Sequence, residues 1–180
     1  ARGMKRGGEG RRGSRTHVKV RAPGTRSHQD EIGNEDDAQH RAMSISQATG
    51  YVTGYTPQEI RGIADVAHSN ALLLHMDGAR IFNAAAFLNV SLKAITSDAG
   101  VDALSFGGTK NGLLMGAAVV FFKQVLADDF EYKSMQGMQL SSKMRFIAAQ
   151  YSALLSNDLW RKNAPHSHGM AQLPAGRLSG

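Results

Sequence analysis

Two short stretches hold the side chains best placed to do chemistry. His75-Met76-Asp77-Gly78-Ala79-Arg80 follows the apolar run 71–74, and Gly107-Gly108-Thr109-Lys110-Asn111-Gly112 follows the apolar run 104–106. Each places charged side chains where a buried strand gives way to a turn. In open α/β sheets, ligands bind in the crevice beyond the carboxyl ends of the strands. A carboxylate, a guanidinium and an amine would then meet at one edge.

That trio suits the chemistry of pyridoxal phosphate (PLP). This cofactor needs a lysine to hold its aldehyde as a Schiff base and a carboxylate to keep its ring nitrogen protonated as an electron sink. Lys110 and Asp77 have the right chemistry, and the Thr109 hydroxyl could bond the cofactor phosphate. Taken singly, each motif has a plainer reading: an Asp after a strand caps a helix, and a Lys between glycines sits in a solvated turn. Their pairing, with Arg80 three residues past Asp77, favours function. The glycines fit neither a P-loop nor a dinucleotide fingerprint, because the order and spacing of glycine and lysine differ from both.

The elements that must position these residues follow from local pattern. Thr56 offers an N-cap, Pro57 the first helical position and Glu59 the reciprocal partner of a capping box. The spacing predicts a helix from Pro57 to about Ser69, with Ile60, Ile63, Ala64 and Ala67 on one face and Asn70 as a left-handed C-terminal cap. That helix joins a strand over Ala42 to Gln47 to a parallel strand over Ala71 to Met76. Helices follow around residues 84–88 and 91–96, and strands at 103–106 and 118–122. Between those strands Gly107 to Ala117 leaves no room for a crossover helix of about a dozen residues, so the last strand should run antiparallel. A long helix is expected from about Gln139 to Ser156, striped by Leu140, Met144, Ile147, Tyr151, Leu154 and Leu155. Trp160 should anchor its end, with Lys143 and Arg145 on a solvated or subunit-facing side. His75 reads as a core histidine bonded to backbone.

Composition narrows the class. The chain has no cysteine, which excludes disulfides and thiolate metal sites, and no histidine pair or carboxylate cluster argues for a metal. No apolar run approaches the ~18 residues of a membrane span, so a cytoplasmic protein with no membrane partner is expected. The net charge of +6 is local: residues 1–28 hold nine Lys and Arg against one acid, and the remainder holds twelve against fourteen. Residues 1–34, rich in Gly and Arg, read as a basic disordered or non-native tail, and 171–180 as an unstructured one. Such an arm can bind phosphate backbones, but nucleic acid is the lesser expectation.

The two motifs, with Leu104-Ser105-Phe106 before the glycines and Gln139-Leu140-Ser141-Ser142-Lys143-Met144-Arg145-Phe146 beyond, resemble the low-specificity L-threonine aldolases. These belong to the β-eliminating lyase group of fold-type I PLP enzymes, and the resemblance runs from about Glu35 to about Met170. It implies an α/β fold: part of a large domain over residues 35–170 with a mostly parallel mixed sheet, helices on both faces and an antiparallel strand after the lysine. It also implies cleavage of a small β-hydroxy amino acid to glycine and an aldehyde, in a homo-oligomer. By the same resemblance Lys110 is the Schiff-base lysine, Asp77 the ring-nitrogen partner and Arg80 a contact to the cofactor or to a substrate carboxylate. At Gly50, Val52, Gly54 and Ala117 the sequence departs from the family pattern. The resemblance further implies an internal fragment, inactive by itself. Two other readings stand beside it: a non-catalytic remnant of such an enzyme, and an adaptor with a nucleic-acid-binding arm.

Overall fold

Thr56 stands in extended backbone and its hydroxyl accepts the Glu59 amide, while the Glu59 carboxylate accepts the Thr56 amide at 2.8 Å. This reciprocal cap starts the helix that the sequence predicts. In the computed structural model, which describes residues 40–48 and 54–164, it is α1 (Pro57–Ser69), lying between β1 (Ala42–Ser46) and β2 (Leu73–Gly78). α2 (Ile81–Leu88), β3 (Ala103–Gly107), β4 (Ala117–Phe121), α3 (Phe130–Gln136) and α4 (Arg145–Leu155) follow. The basic segment 1–34, Gly50, Val52 and the segment 171–180 lie outside the described residues.

The four strands form one sheet in chain order, β1 parallel to β2, β2 parallel to β3, and β3 antiparallel to β4. The reversal follows from the short connection after β3, as its length demands. Side chains alternate across the sheet. One face carries the buried Ile45, Leu74, Met76, Leu104 and Phe106, which share a core with Ile60, Ala64 and Ala67 of α1 and with Ile81 and Phe82 of α2. Full burial of Ile60 alone contributes about 2 kcal/mol. The opposite face carries Ser44, His75, Asp77 and Ser105; at its far end Phe130, opening α3, meets Phe121 ring edge to face at 5.0 Å.

Three local expectations are corrected. The left-handed residue closing α1 is Ala71 (φ 57), not Asn70. The amides of Ala71 and Leu72 return to the carbonyls of His68 and Ala67, a Schellman closure, while the Asn70 side chain donates to the Val66 carbonyl instead. The long C-terminal helix starts at Arg145 rather than near Gln139, because Met138 and Lys143 adopt left-handed backbone. Leu140 therefore stands about half exposed, outside the stripe, and Leu155 is nearly as exposed. The sequence reading also passed over α3, which caps at Gly137.

A buried carboxylate ties the sheet at the end away from the glycine turn. Asp102 precedes β3 and is 1% exposed. Its carboxylate accepts from Leu74 N at 2.7 Å and pairs with Lys123 Nζ at 2.6 Å and His68 Nε2 at 2.8 Å, joining β2, α1 and the end of β4. Burial pushes its pKa up, but Lys123, the Leu74 amide and His68 outweigh that and hold it below the ordinary carboxylate value.

Candidate active site

Because β2 and β3 are parallel, their carboxyl ends open at the same sheet edge. Asp77 is the penultimate residue of β2 and pairs in register with Ser46 on β1 and Ser105 on β3. Arg80 follows at the N-cap of α2. Thr109 and Lys110 lie in a single 3₁₀ turn just past β3. All four residues singled out by sequence thus come to one edge. Asp77, Thr109 and Lys110 are exposed and Arg80 is half-buried.

Glycine lets the two motifs touch. A Cβ on Gly107 would stand 2.9 Å from Ala79 Cα, and one on Gly78 would stand 2.9 Å from the Ser105 carbonyl oxygen. Both contacts involve backbone, which cannot swing aside, so each glycine is required by the close approach of the β2 and β3 turns. The end of β2, with Asp77, thereby lies against the turn after β3 that carries Lys110. Asp77 Oδ1 accepts the Ala79 amide at 2.9 Å, which turns the carboxylate back over its own loop.

The lysine turn is braced from behind by residues far along the chain. Asn111, next to Lys110, is buried and donates to the Trp160 carbonyl at 3.3 Å, while its own carbonyl accepts from Asn163 Nδ2 at 2.9 Å. The Trp160 ring packs on Phe82 and Phe82 on Phe106, so Trp160 anchors the C-terminal helical region as its sequence position suggests. Tyr151 of α4 donates to the Phe106 carbonyl at 2.6 Å, and Gln150 accepts the Leu114 amide at 2.9 Å. Burial raises the Tyr151 pKa above the ordinary phenol value, so the hydroxyl stays a donor. Sequence reasoning missed Asn111, Gln150 and the Tyr151 hydroxyl as supports. It also missed Asp102, for which an acid at the head of an apolar run was the available signal.

His75 is corrected as well. It is not tied to backbone: Nδ1 lies 2.7 Å from Ser44 Oγ and Nε2 lies 2.9 Å from Ser105 Oγ, on the face that leads to Asp77. Burial lowers its pKa, and the Asp77 charge works in the opposite direction. Lys143 and Arg145 are exposed, the latter with its guanidinium 4.8 Å from the Phe146 ring centroid. Among the described residues, no group of three or more His, Cys, Asp or Glu is arranged to hold a metal ion. Nor is any described helix long and apolar enough to cross a membrane.

With this geometry in view, comparisons with known proteins converge. The Beta-eliminating lyase family model matches residues 25–179. The low specificity L-threonine aldolase of Pseudomonas aeruginosa is 46% identical over 135 residues, which cover 75% of this chain and 39% of that protein. Its counterpart from a Pseudomonas species is 45% identical over 133 residues, covering 74% and 38% respectively. A solved structure of Leishmania major threonine aldolase superposes with a TM-score of 0.74 at 25% identity, covering 81% of this chain and 43% of that one. The chain therefore spans about two fifths of the length of the curated relatives it matches.

Proposed function

Since this chain belongs to the β-eliminating lyase family, we propose that it is the lysine-bearing part of a PLP-dependent aldehyde-lyase of the threonine aldolase type. Its substrate class is a small β-hydroxy amino acid, cleaved to glycine and an aldehyde, in a cytoplasmic homo-oligomer. The observation that carries the reading is the backbone contact of the two motif turns. It sets the end of β2, with Asp77, against the turn after β3 that carries Lys110, which supports a shared site for the two.

The donor set fits the cofactor. Lys110 Nζ would hold its aldehyde carbon, Asp77 its ring nitrogen and the Thr109 hydroxyl its phosphate, with Arg80 for the cofactor itself or for the carboxylate of the substrate. When bound, PLP supplies the electron sink that carbon–carbon cleavage beside an amino group needs. The protein's share is placement and charge. A carboxylate at Asp77 would keep a proton on the ring nitrogen of the bound cofactor, because a charge-assisted hydrogen bond favours the charged form of both partners. The close turn at Gly107 holds carboxylate and amine on one rigid frame, and correct placement carries much of such a rate. The bracing of Asn111 and Phe106 from the C-terminal helices keeps that frame stiff.

Assayed alone, the 180-residue chain, of which 135 residues align with 39% of a curated relative, should bind the cofactor weakly and show no measurable turnover. Borohydride trapping at stoichiometric PLP, followed by peptide mapping, tests the assignment. Label should appear on Lys110 and vanish in Lys110→Ala. Label on Lys93, Lys123 or Lys143 instead overturns the site.

A further inference from the structure

The face of the sheet that leads to Asp77 carries an ordered polar chain which the placement of Lys110 and Asp77 leaves unexplained. Ser44 on β1, His75 on β2 and Ser105 on β3 project from the same face in neighbouring strands. Both imidazole nitrogens are engaged, Nδ1 with Ser44 Oγ at 2.7 Å and Nε2 with Ser105 Oγ at 2.9 Å. Both partners are side chains from other strands. Ser105 is in turn the register partner of Asp77, and adjacent strands lie about 4.8 Å apart.

We propose that Ser44, His75 and Ser105 form a hydroxyl–imidazole–hydroxyl chain that positions and polarises the Asp77 carboxylate, making His75 a positioning residue for the ring-nitrogen contact. This rests on the reading of Asp77 as that contact.

Donor counting sets the direction of the chain. A neutral imidazole has one N–H and one acceptor nitrogen, a hydroxyl donates once, and an ionised carboxylate only accepts. If Ser44 donates to Nδ1, Nε2–H donates to Ser105 Oγ and the Ser105 hydroxyl proton is left unspent, beside its register partner Asp77, whose own hydrogen bond is from the Ala79 amide. The chain then runs from Ser44 toward the strand neighbour of the carboxylate. In the reverse order the Ser105 hydroxyl is spent on His75 and has no proton to offer a carboxylate. The negative charge selects the first order, and each bond in such a chain polarises the next. A hydrogen bond donated to an ionised carboxylate favours its charged form, which is the form that can hold a protonated ring nitrogen.

The imidazole suits the task because it stays neutral. Burial holds His75 below the ordinary imidazole range against the pull of Asp77, the charged group acting on it; the other groups facing it are the hydroxyls of Ser44 from β1 and Ser105 from β3. A cation here would offset the Asp77 charge and weaken its hold on a second cation.

Two measurements on the 180-residue chain test this. In the cofactor-free protein, histidine-selective nitrogen NMR should find His75 neutral near neutral pH with the proton on Nε2. Asp77→Asn should move its titration to lower pH, and Ser105→Ala should change the tautomer balance. A proton on Nδ1, or a titration unmoved by Asp77→Asn, overturns the proposal. The second measurement is a binding titration with PLP and with its deaza analogue, in which C–H replaces the ring nitrogen. His75→Phe and Ser105→Ala should each weaken PLP about tenfold, the scale on which outer-shell partners act, and alter the analogue by no more than about twofold. Equal losses for both compounds would mean a merely structural role. Ser105→Ala, which removes a single oxygen, carries the test if His75→Phe does not fold. Failure of the functional reading looks different: wild type would bind PLP no better than Lys110→Ala does, and the positioning role would fall with it.

Discussion

Removing the Asp102 carboxylate should destabilise the fold without touching the proposed site. Asp102→Ala deletes the acceptor for the buried Leu74 amide and the partner of both Lys123 and His68. An orphaned buried amide costs about 1–3 kcal/mol. Breaking a fully buried ion pair costs about 3–5 kcal/mol, but the Lys123 and His68 side chains are 51% and 37% exposed and can return to water. The ion-pair share is therefore discounted to about 1 kcal/mol, and about 3 kcal/mol in total is expected. Asp102→Asn keeps an acceptor for Leu74 and loses only charge, so about 1 kcal/mol is expected there. Urea unfolding should show the midpoint falling in that order with the slope unchanged. The pH dependence follows from a folded carboxyl pKa held below the unfolded value of 3.8. The stabilisation is complete above the unfolded value and is lost as pH falls through the folded one. The gap between wild type and Asp102→Asn should therefore be constant near neutrality and close in acid below about pH 4. An Asp102→Ala chain within about 0.5 kcal/mol of wild type, or a gap indifferent to acid, would refute the reasoning.

Other expectations concern the site and its bracing. Gly107→Ala sets a Cβ 2.9 Å from Ala79 Cα, so one motif turn must shift; stability should fall by about 1–3 kcal/mol and PLP affinity by about tenfold or more. Unfolding and cofactor titration read the two effects, and no change in either would show that the turns do not interlock. Tyr151→Phe loses the bond to the Phe106 carbonyl and should cost about 1 kcal/mol, with faster hydrogen exchange in the lysine turn; wild type should keep that bond beyond about pH 10, since burial raises the phenol pKa. Asp77→Asn, made in a full-length protein carrying this segment, should leave Lys110 trapping intact and remove most turnover. Undiminished turnover there would sink the ring-nitrogen role.

Local and short-range features were legible in the linear chain. The capping box at Thr56 and Glu59 lies within four consecutive residues, and the stretch from Gly107 to Ala117 is too short for a crossover helix. Physics over such spans leaves few choices, so α1, the strands and the antiparallel turn after Lys110 follow from pattern. The placement of Lys110, Asp77, Arg80 and Thr109 just past or within the end of a strand was legible for the same reason. The expected cap at Asn70 failed by one residue: the amides of Ala71 and Leu72 close the helix, which places Ala71 in the left-handed region.

What only the tertiary structure decided are pairings between residues distant in sequence. His75 meets Ser44 and Ser105 across 31 and 30 positions, Asp102 meets Leu74 across 28, and Asn163 meets Asn111 across 52. A one-residue slip in strand register would turn His75 away from both serines, yet nothing in the local pattern of Leu73 to Asp77 reports that register. The approach of Gly107 to Ala79 is of the same kind, for a glycine in sequence signals freedom but not the neighbour that requires it. The chain itself determined which side chains stand at strand ends. Their burial, ionisation and hydrogen-bond partners arose when the core face closed against α1 and α2 and brought β1, β2 and β3 side by side.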